Sequence, residues 1–551
     1  MKQKRRKYIF VIGGVMSGVG KGIATSSIGT LLQAYGFETN LVKVDPYLNV
    51  DAGTMNPTEH GEVFVMNSGL ETDQDMGNYE RFLNRDLTHD DYMTSGMVYY
   101  DVLRKERALG YKGRCIEAIP DIRDEIVRRY EKAAERSDCE ITVVEIGGTV
   151  GDYQNVMFIE AARVLKLRHP DDVKFILVTF LPIPSKIGEM KTRPTQNAVR
   201  QLNSYGVQPD FIIARSSIPL DHKRKEKIAL SCNVYSDHVI SAPDIDSIYD
   251  VPINFEKDKM AELLLKSLKL RPKPKKEGLG GWRKFVESVK KAKSDSAQKV
   301  KIAVVGKYFD SGDFVFADAY ISVIEAIKFS AYQVGVKPEL SWINSKDFES
   351  GKLKISMLKD FDGVLVPGGF GETGVEGIIS AISFARKNKI PYFGLCYGMQ
   401  LLVVEYARNA AGLKGANTAE IDTKAAHTVI DIMDDQKKKL AEGNYGGSMR
   451  LGAYVARLKS ETIARDAYES DTAYERHRHR FEVNLVYISK LEKAGLVFSG
   501  TSPDGRLMEI AELPRAIHPF FLGTQFHPEF LARPLSPHPL FTEFIKAAAG
   551  K

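Results

Sequence analysis

Apolar, strand-like runs alternate with longer, helix-like stretches along the first 270 residues of the chain. The short runs have the length of buried strands, and the stretches between them have the length of helices. The predicted strands are Tyr8–Ile12, Thr39–Val44, Ile141–Ile146, Val173–Phe180 and Phe211–Ala214, and helices are predicted between them, for example at Gly22–Tyr35 and Ile119–Arg136. This alternation predicts a mainly parallel sheet that is covered by helices.

The pattern changes between Leu270 and Lys301. This stretch is rich in Pro, Gly and Lys and then highly polar, which is typical of a linker with a short helix inside. Alternation then resumes, with predicted strands at Val300–Val305, Gly363–Val366 and Tyr392–Leu395. The pattern therefore predicts an α/β fold of two doubly wound domains, over residues 1–270 and 301–551, joined by a linker over residues 271–300. The charged stretch from Asp431 to Asn444 is predicted to be a lid or loop.

The composition fits a globular protein and excludes some classes of function. With 551 residues the chain is long enough for two or more domains, and 43% hydrophobic residues suffice for full cores. The 77 basic residues nearly balance the 71 acidic ones, so the net charge of +6 does not indicate nucleic-acid binding, although local basic clusters can hold phosphates. The few, scattered cysteines lack metal-ligand or disulfide spacing, which predicts a reducing, cytoplasmic location: Cys115, Cys139, Cys232 and Cys396.

The first residues imitate a secretory signal. The stretch from Lys2 to Lys7 is basic and Tyr8–Ile12 is apolar, but Gly13 and Gly14 interrupt the apolar run too early for a signal peptide. No stretch approaches the ~18 apolar residues of a membrane span. The sequence therefore predicts a solvated tail, a buried first strand and no membrane partner.

Cys396 has the setting of a nucleophile. It lies between a strand-like and a helix-like run and is flanked by Gly394 and Gly398, as in the tight turn that exposes a nucleophilic side chain. The helix dipole at such a position favours a thiolate. Further along the chain, His527 and Glu529 offer a base and a carboxylate to orient it, as in an acyl-transfer triad. The alternative is a buried structural cysteine with a loop histidine.

Both segments together, from Pro391 to Gln400 and from Gly523 to Glu529, resemble those of class I glutamine amidotransferases. Members of that class hydrolyse glutamine to glutamate and ammonia, and they have a flavodoxin-like fold. The resemblance covers the chain from Lys301 onward. The two segments together argue against a buried structural cysteine at position 396.

A glycine-rich loop, from Gly13 to Gly22, follows the first predicted strand and opens a helix. Such a loop presents backbone N–H groups and a helix N-terminus to phosphate, and Lys21 adds a point charge. The loop departs from the strict P-loop pattern, because Val15 stands in place of its first Gly and Gly22 in place of its Ser or Thr. It is thus predicted to be a variant phosphate loop, with a simple tight turn as the alternative.

The missing hydroxyl at position 22 means that other groups must hold Mg²⁺, preferably carboxylates at strand ends facing the loop. Glu145 ends a predicted central strand, where ligand sites of α/β proteins form. A strand interior also rarely tolerates an unpaired charge. Asp75 lies in an acidic segment, and a solvated loop acid is an equal alternative for it.

A second segment suited to anions runs from Gly188 to Gln196. A charged surface loop is the alternative. One phosphate loop and a separate basic cluster together predict two phosphorylated ligands at one site. The cluster comprises Lys191, Thr192, Arg193, Thr195 and Gln196, with Lys227 later in the chain.

Over nearly its whole length the chain resembles the CTP synthase family. The resemblance implies that ATP phosphorylates O4 of the uracil ring of UTP, and that ammonia from glutamine then displaces this phosphate from C4 to give CTP, ADP and phosphate. A ring carbonyl oxygen is a poor leaving group, which explains the phosphorylation, and ammonia would be protonated in bulk water, which implies transfer inside the protein. The segments that carry the resemblance are Lys43–Met55, His60–Val65, Glu71–Gly77, Glu145–Asp152, Lys191–Gln196 and Arg476–Asn484.

In the amino-terminal half, the resemblance implies a set of nucleotide-binding residues. Ser17, Lys21 and Lys43 are expected where the two nucleotides meet, and Asp75 and Glu145 are expected to hold Mg²⁺. ATP is expected at Gly18, Val19, Gly20, Lys21, Gly22, Ile23, Asp75, Asp244 and Ile245, of which the last two face adenine. UTP, and CTP as a competing feedback inhibitor, are expected at Ser17, Asp152, Tyr153, Gln154, Lys191, Thr192, Arg193, Pro194, Thr195, Gln196 and Lys227. Some family members have Glu where this chain has Gln154.

In the carboxy-terminal half, the resemblance implies that Cys396 forms a thioester with glutamine, that His527 moves the proton and that Glu529 orients His527. Gly369 is expected to contribute a backbone N–H to an oxyanion hole. Glutamine is expected at Gly369, Tyr397, Gly398, Met399, Gln400, Glu420 and Arg480.

The resemblance also implies regulation and assembly. The basic run from Arg476 to Arg480 would by itself suit a solvated strand or a nucleic-acid patch, but within the family pattern it is expected to bind glutamine and to sense GTP, the allosteric activator. The segment from Gly446 to Gly452 resembles a lid that closes in that response. The family is tetrameric, with nucleotides at subunit contacts, so a homotetramer is expected.

Three other functions share part of the pattern. Another glutamine-dependent ligase, such as a cobyrinic-acid amidase, would share the phosphate loop but should lack Lys191–Gln196 in this form. A filament-forming or regulatory protein would not need the complete set of Cys396, His527 and Glu529. A membrane-associated partitioning ATPase leaves the carboxy-terminal half unexplained.

Overall fold

The computed structural model describes residues 6–184, 188–273, 278–307, 317–433, 436 and 447–550. The chain forms two compact units. The first consists of Met1–Asp51 and Asn78–Val286, and the second of Ala52–Gly77 and Glu287–Lys551. A short segment from the amino-terminal half, Ala52–Gly77, therefore belongs to the unit that is otherwise built from the carboxy-terminal half.

A seven-stranded, fully parallel sheet forms the centre of the first unit. Every residue of its first two strands is buried, because helices cover both faces of the sheet. In the order β5-β2-β6-β1-β7-β8-β9, the strands are β1 (Lys7–Gly13), β2 (Thr39–Asp45), β5 (Tyr92–Thr94), β6 (Ile141–Thr149), β7 (Val173–Phe180), β8 (Phe211–Ser216) and β9 (Val239–Pro243). The helices are α1 (Lys21–Ala34), α4 (Ser95–Arg107), α5 (Arg123–Arg136), α6 (Val156–Arg168), α7 (Arg193–Ser204), α8 (His222–Cys232), α9 (Val251–Lys257) and α10 (Met260–Ser267). The helix α11 (Gly280–Ala292) begins in the first unit and ends in the second.

The sheet brings several chain segments to one edge. Because all pairs are parallel, the carboxyl ends of its strands lie on the same side, where Gly13 pairs with Thr149 and Ser216 pairs with Pro243. The core beneath that edge is aromatic and aliphatic, with the Phe10 ring 5.7 Å from the Phe175 ring. The loops that follow β1, β6, β8 and β9 can therefore build one site.

A nine-stranded mixed sheet forms the centre of the second unit, in the order β11-β10-β12-β13-β21-β20-β19-β16-β17. The pairs from β11 to β21 are parallel and the pairs from β21 to β17 are antiparallel. Its strands are β10 (Lys299–Gly306), β11 (Lys337–Asn344), β12 (Gly363–Val366), β13 (Tyr392–Leu395), β16 (Arg450–Leu458), β17 (Thr472–His479), β19 (Val497–Thr501), β20 (Met508–Glu512) and β21 (Phe521–Thr524).

Two small sheets accompany the large one in the second unit. The strands β14 (Ala416–Thr418), β15 (His427–Ile432) and β18 (Phe481–Val483) form one, and β3 (Phe64–Val65) and β4 (Glu71–Thr72), both from the segment Ala52–Gly77, form the other. The helices are α2 (Pro57–His60), α12 (Ile321–Val334), α13 (Ser345–Glu349), α14 (Val375–Asn388), α15 (Tyr397–Asn409), α16 (Ile463–Tyr468), α17 (Leu485–Lys493) and α18 (Pro539–Ala548). The remaining helix, α3 (Asp75–Leu83), begins in this segment and continues into the first unit.

The predicted mainly parallel α/β sheet is confirmed, and so is a second α/β domain after the linker. All the predicted strands are present, whereas β5 and β9 of the first sheet were not predicted. The predicted start of one helix is wrong. Ile119 has φ −121° and ψ 119°, since a residue before proline is kept out of the helical region, and the regular helix α5 begins at Arg123.

The structure describes the predicted linker helix, but it describes the predicted lid segments only in part. The linker contains its predicted short helix, α11. Of the predicted lid over Asp431–Asn444, residues 434, 435 and 437–444 lie outside the described part, as does Gly446 of the second lid segment. Among the helices that the structure describes, none is both long and apolar enough to cross a membrane.

Candidate functional site

The phosphate loop of the first unit joins β1 to α1. Gly18 and Gly20 have φ of 72° and 85°, a left-handed conformation that glycine adopts without strain. Lys21, the first residue of α1, donates a hydrogen bond from Nζ to the carbonyl oxygen of Gly148 at 2.8 Å. A Cβ at Gly13 would lie 2.8 Å from that same Nζ, so the glycine makes room for the lysine side chain. The loop therefore has the glycines, the helix N-terminus and the charge that phosphate binding requires.

An apolar cavity lies beside this loop, between the start of α1 and the ends of β8 and β9. Three residues of the predicted ATP set, Gly20, Ile23 and Ile245, contribute to it. Arg215 also lines the cavity and donates from Nη2 to Oδ1 of Asp244 at 2.8 Å. Sequence reasoning missed Arg215, although a charged residue directly after a predicted parallel strand was a usable signal.

Glu145 is buried on β6, and both of its carboxylate oxygens accept hydrogen bonds. Lys43, its partner in register on β2, donates from Nζ to Oε1 at 3.0 Å, and the hydroxyl of Tyr79 donates to Oε2. The strand carboxylate is thus paired within the protein, as a charge in a strand interior requires. Lys43 matches a family motif, but the role of Tyr79 was not visible in the sequence.

The residues present suit a Mg²⁺ ion that is held mainly by phosphates. Mg²⁺ usually takes one or two protein carboxylates and completes its shell with water and phosphate oxygens. No group of three or more acidic, His or Cys side chains converges in the part of the chain that the structure describes, so a site made by protein alone is not formed there. Asp75 opens α3 with its backbone N–H donated to Oδ1 of Asp73 at 2.9 Å. A shared metal for Asp75 and Glu145 stays a prediction.

Most of the residues predicted for UTP and CTP lie in two segments of the first unit, whereas Ser17 lies in the phosphate loop and Lys227 on α8. After β6, Asp152 accepts hydrogen bonds from the backbone N–H of Thr149 at 2.6 Å and from its hydroxyl at 2.9 Å, while Tyr153 is 97% exposed and Gln154 is exposed beside it. This loop is ordered by Asp152 and presents Tyr153 and Gln154 to solvent.

The second of these segments leads into α7. Arg193 and Pro194 form the first turn of this helix, which is a favourable position for an anion. Thr195 is fixed by the hydroxyl of Thr179 at 3.0 Å, and Lys191 is paired with Glu189 at 2.6 Å. The exposed pair of Lys191 is what a plain surface loop would show, so the binding role of this segment stays a prediction.

Cys396 lies at a strained turn between β13 and α15 in the second unit. Its φ of 48° and ψ of −96° are unusual for any residue except glycine. Gly394 and Gly398 permit the turn, because a Cβ at Gly394 would lie 2.6 Å from the carbonyl carbon of Gly398, and one at Gly398 would lie 2.4 Å from the carbonyl oxygen of Val366. The predicted nucleophile turn is confirmed in its geometry.

His527 and Glu529 form the predicted base and carboxylate pair. His527 Nδ1 lies 2.7 Å from Oε1 of Glu529, and both side chains are buried. Burial, the largest influence, would lower the pKa of His527, but the charges of Glu529 and Cys396 outweigh it and raise the pKa to about 10. Its Nε2 has no hydrogen-bond partner among the described residues. This nitrogen is therefore left for proton transfer with a thiol and a leaving group.

A large cavity of about 940 Å³ contains this centre. Six predicted residues of the glutamine set or the triad line it with Cys396, namely Gly369, Gln400, Glu420, Arg480, His527 and Glu529. The other three residues of the glutamine set do not line the cavity but are buried in the first turn of α15, namely Tyr397, Gly398 and Met399. Their contact with glutamine stays a prediction. The cavity is large enough for an amino acid of the size of glutamine.

The side of the cavity that carries Glu420 and Arg480 is held by hydrogen bonds. Oε1 of Glu420 accepts from the backbone N–H of Gly371 at 2.8 Å, and burial raises the pKa of this carboxyl group. Arg480 donates from Nη1 to Gln436 at 2.9 Å and to the hydroxyl of Ser448 at 3.0 Å. An Arg and a carboxylate on one cavity wall can bind the charged ends of an α-amino acid.

Lys307 is a further charge at this site that sequence reasoning missed. It donates from Nζ to the carbonyl oxygens of Phe370, at 3.3 Å, and Gly371, and to the hydroxyl of Tyr397 at 2.9 Å. Burial lowers its pKa to about 8, against the opposing effect of Glu420. Lys307 thus holds the loop that carries Gly369.

The segment Ala52–Gly77 supplies one wall of the same cavity, a placement that local sequence patterns do not predict. Its lining residues include Gly53, Pro57, Glu62 and Val63. Glu62 is buried and accepts from the backbone N–H of Ser322 at 3.1 Å, at the start of α12. The carboxylate therefore caps that helix and fixes this wall.

The basic run on β17 also holds this segment. Arg476 is fully buried and donates to Oδ1 of Asn67 at 2.6 Å and to the carbonyl oxygen of Val65 at 3.1 Å. Arg478 pairs with Oε1 of Glu71 at 2.8 Å. These two arginines of the run are thus committed to internal contacts, which argues against a solvated strand or a nucleic-acid patch.

Comparisons with known proteins agree with this geometry. A family described as CTP synthase N-terminus matches residues 7–270, and the family glutamine amidotransferase class-I matches residues 315–547. The chain is similar to the CTP synthase of Sulfolobus acidocaldarius, with 47% identity over 544 residues that cover 99% of this chain and 100% of the relative. It is also similar to the CTP synthases of Caldanaerobacter subterraneus subsp. tengcongensis, with 47% identity over 542 residues, and of Pyrococcus abyssi, with 48% over 544 residues, each covering 98% of both chains.

Proposed function

Because the chain belongs to the CTP synthase family, we propose how its residues divide the reaction of that family. The reaction is the ATP-dependent conversion of UTP to CTP with nitrogen from glutamine. We assign glutamine hydrolysis to a domain over residues 301–551, nucleotide chemistry to a domain over residues 1–270, and the connection to a linker over residues 271–300. The observation that carries this assignment is Cys396 at a strained turn in one cavity with His527 and Glu529.

Glutamine hydrolysis begins with attack of the Cys396 thiolate on the amide carbon of glutamine. The oxyanion that forms is stabilised by backbone N–H groups near Gly369, and His527 delivers its proton to the departing nitrogen so that ammonia leaves. Water then hydrolyses the thioester to glutamate. Glu420 and Arg480 bind the amino and carboxylate ends of glutamine, and Glu529 holds His527 in orientation.

Nucleotide chemistry takes place at the phosphate loop. The backbone from Gly18 to Ile23 and the ammonium group of Lys21 bind the ATP phosphates, and the backbone at Asp244 and Ile245 faces adenine. The UTP triphosphate binds Ser17, the segment Lys191–Gln196 and Lys227. Phosphorylation turns O4 of the uracil ring into a leaving group, which ammonia displaces at C4.

Asp75 and Glu145 are the residues that would hold Mg²⁺ in this domain. A bound Mg²⁺ neutralises phosphate charge and thereby favours transfer of the γ-phosphoryl group. The two hydrogen bonds that Glu145 accepts from Lys43 and Tyr79 hold its carboxylate in a fixed orientation.

Ammonia is kept from bulk water after it leaves glutamine. The cavity around Cys396 extends to Gly53, Pro57 and Val63 of the segment Ala52–Gly77, which leads along the chain to Asp75. Bulk water would protonate ammonia and remove its nucleophilic lone pair. The cavity supports a protected path that starts at the thiol and is walled by this segment.

The proposal also includes inhibition by CTP, activation by GTP and assembly into a tetramer, as in the family. CTP competes with UTP through the shared triphosphate, with Asp152, Tyr153 and Gln154 at its nucleoside end. GTP activates glutamine hydrolysis near Arg480. The active form is a cytoplasmic homotetramer that acts on small molecules, without nucleic-acid or membrane partners.

A coupled assay tests the proposal. Purified protein receives UTP, ATP and Mg²⁺ with either glutamine or ammonia as the nitrogen source, with and without GTP, and CTP is quantified by chromatography. We expect CTP from both nitrogen sources and a GTP effect only with glutamine. No product from UTP with either source would contradict the assignment.

A further inference from the structure

Gln525 lies in the same segment as His527 and Glu529 and is buried beside Cys396. Its side chain is 0% exposed, and its Nε2 lies 3.6 Å from Sγ of Cys396. That separation suits a hydrogen bond from N–H to sulfur. At its other end, Oε1 accepts a hydrogen bond from Nε2 of Gln400 at 3.3 Å. The buried amide therefore has a partner on each end, one of which is the reacting sulfur atom.

The direction of these hydrogen bonds follows from a backbone group. Nε2 of Gln400, which is 3% exposed, also donates to the carbonyl oxygen of Phe481 at 3.1 Å. A carbonyl oxygen only accepts, so Gln400 must turn its NH₂ group toward Phe481 and Gln525. Gln525 must then present its oxygen to Gln400 and its NH₂ group to Cys396, because the reverse orientation would set two NH₂ groups against each other.

The other polar neighbour of the sulfur has the opposite character. The carbonyl oxygen of Arg478 lies 3.8 Å from Sγ and can accept the proton of a neutral thiol, but it gives no stabilisation to a thiolate. The N–H of Gln525 stabilises the thiolate, since hydrogen bonds to an ionised acceptor are stronger than those to a neutral one. The thiolate is the form that attacks an amide.

We propose that Gln525 is a catalytic residue of the glutaminase centre, which stabilises the thiolate of Cys396 through its side-chain N–H, and that Gln400 is a positioning residue that sets the orientation of Gln525. The inference rests on the proposed function of Cys396 as the nucleophile. It gives Gln400 a task that is separate from its predicted contact with glutamine.

The test measures the reactivity of the sulfur without glutamine. The full-length protein is treated with iodoacetamide over a range of pH, and alkylation of Cys396 is followed by mass spectrometry of its peptide. Gln525→Met keeps the size of the side chain and removes the donor. We expect the pH midpoint of Cys396 alkylation to rise by about one unit and the rate at pH 7 to fall about tenfold, as the loss of a hydrogen bond to a charged group predicts. Exposed Cys115 in the same sample should react as in the wild type.

Two further variants and a control separate this role from packing. Gln525→Glu, which brings a negative charge to the sulfur, should raise the midpoint further, and Gln400→Met, which releases the orientation of Gln525, should raise it by less. Gln333→Met, at an exposed position of α12, serves as the matched control and should leave the profile unchanged. The variant with the largest rise in the pH midpoint of Cys396 alkylation should also show the largest fall in glutamate release.

The proposal is overturned if Gln525→Met folds, as judged by its melting temperature, and its alkylation profile coincides with that of the wild type. Should that variant not fold, an unchanged profile in Gln400→Met overturns it instead. A wild type without glutaminase activity, by contrast, would count against the proposed function of Cys396 and not against the contact with Gln525.

Discussion

At the scale of single residues, the glutaminase centre combines backbone strain with buried charge. Cys396 adopts a conformation that costs of order 1–3 kcal/mol, and the close packing of Gly394 and Gly398 keeps it there. His527 is buried and nevertheless has a raised pKa, because the carboxylate of Glu529 and the thiol group face it. In the proposed centre, the turn thus fixes the position of the Cys396 sulfur, and the carboxylate of Glu529 favours the charged form of His527.

Glu529→Gln tests the charge of this pair. A His with a pKa raised to about 10 in the folded state stabilises the fold fully below pH 6.5, and the contribution is lost as the pH rises toward 10. The variant lacks the carboxylate, so its melting temperature should change less than that of the wild type between pH 6.5 and 10. Glutamate release should fall about 10²-fold or more, as expected when a general base is no longer oriented. Equal pH dependence of melting in both proteins would contradict the assigned cause.

Lys307→Arg tests how the loop with Gly369 is held. Lys307 is protonated below its pKa of about 8 and then donates to the carbonyl oxygens of Phe370 and Gly371. Above pH 8 it loses its charge, so wild-type glutaminase activity should decline with a midpoint near 8. Arginine stays charged, and the variant should keep its activity to higher pH even if its maximum is lower. The measurement is glutamate release by both proteins from pH 6.5 to 10. If activity declines at the same alkaline pH in Lys307→Arg as in the wild type, the prediction is wrong.

At the scale of elements, the segment Ala52–Gly77 matters most, because it builds a wall of the thiol cavity from the other half of the sequence. Glu71 is 1% exposed and pairs with Arg478, whose backbone oxygen lies beside Sγ of Cys396. The backbone at Gly53 can lie against the side chain of Glu71 only because it has no Cβ, since a Cβ there would lie 2.2 Å from Oε2 of Glu71. The ion pair therefore connects this segment to the strand β17 next to the nucleophile.

Glu71→Gln removes the charge of this pair and keeps its size. Arg478 would retain a hydrogen-bond acceptor but lose its buried counter-charge, so we expect a loss of about 1–3 kcal/mol in unfolding free energy and about a tenfold fall in glutamate release. Glu339→Gln on β11 is the matched control, because it removes the charge of a solvent-accessible pair with Lys299 on β10. It should change the unfolding free energy and glutamate release little. Thermal melting and a glutaminase assay give the two readings. Equal effects of both variants would show that the buried pair has no special role.

At the scale of the whole molecule, two activities are assigned to two domains that fold around separate sheets. Ammonia is made in one and used in the other. Each activity should therefore be removable without the same effect on the other.

Cys396→Ala and Lys21→Ala test this division. The first variant lacks the nucleophile, so glutamine should no longer support CTP synthesis, while added ammonia should still do so. The second lacks the ammonium group that faces the phosphate loop, and both nitrogen sources should give little CTP, because ATP activation is common to the two routes. CTP formation with each nitrogen source provides the measurement. A parallel loss of both routes in Cys396→Ala, or a normal ammonia route in Lys21→Ala, would contradict the division.

The sequence by itself determined the elements and the local chemistry. Strands such as β1 and β13, the glycine-flanked turn at Cys396 and the phosphate loop are encoded by neighbouring residues, because backbone conformation depends on side chains a few positions away. The spacing of His527 and Glu529 likewise placed a base beside its carboxylate. Local rules failed at the strands β5 and β9, which were not predicted, and at the boundary Ile119, where the restriction imposed by Pro120 outweighed the helical pattern.

Only the tertiary structure decided which distant residues share a site. Glu145 proved to be paired with Lys43, the segment Ala52–Gly77 joined the thiol cavity, and Gln525 turned its N–H toward Cys396. Partners in these contacts are separated by roughly 100 to 400 residues along the chain. These distant residues pair because a buried polar group has no water to bond and must form its hydrogen bonds within the core, whatever the separation of the partners along the sequence.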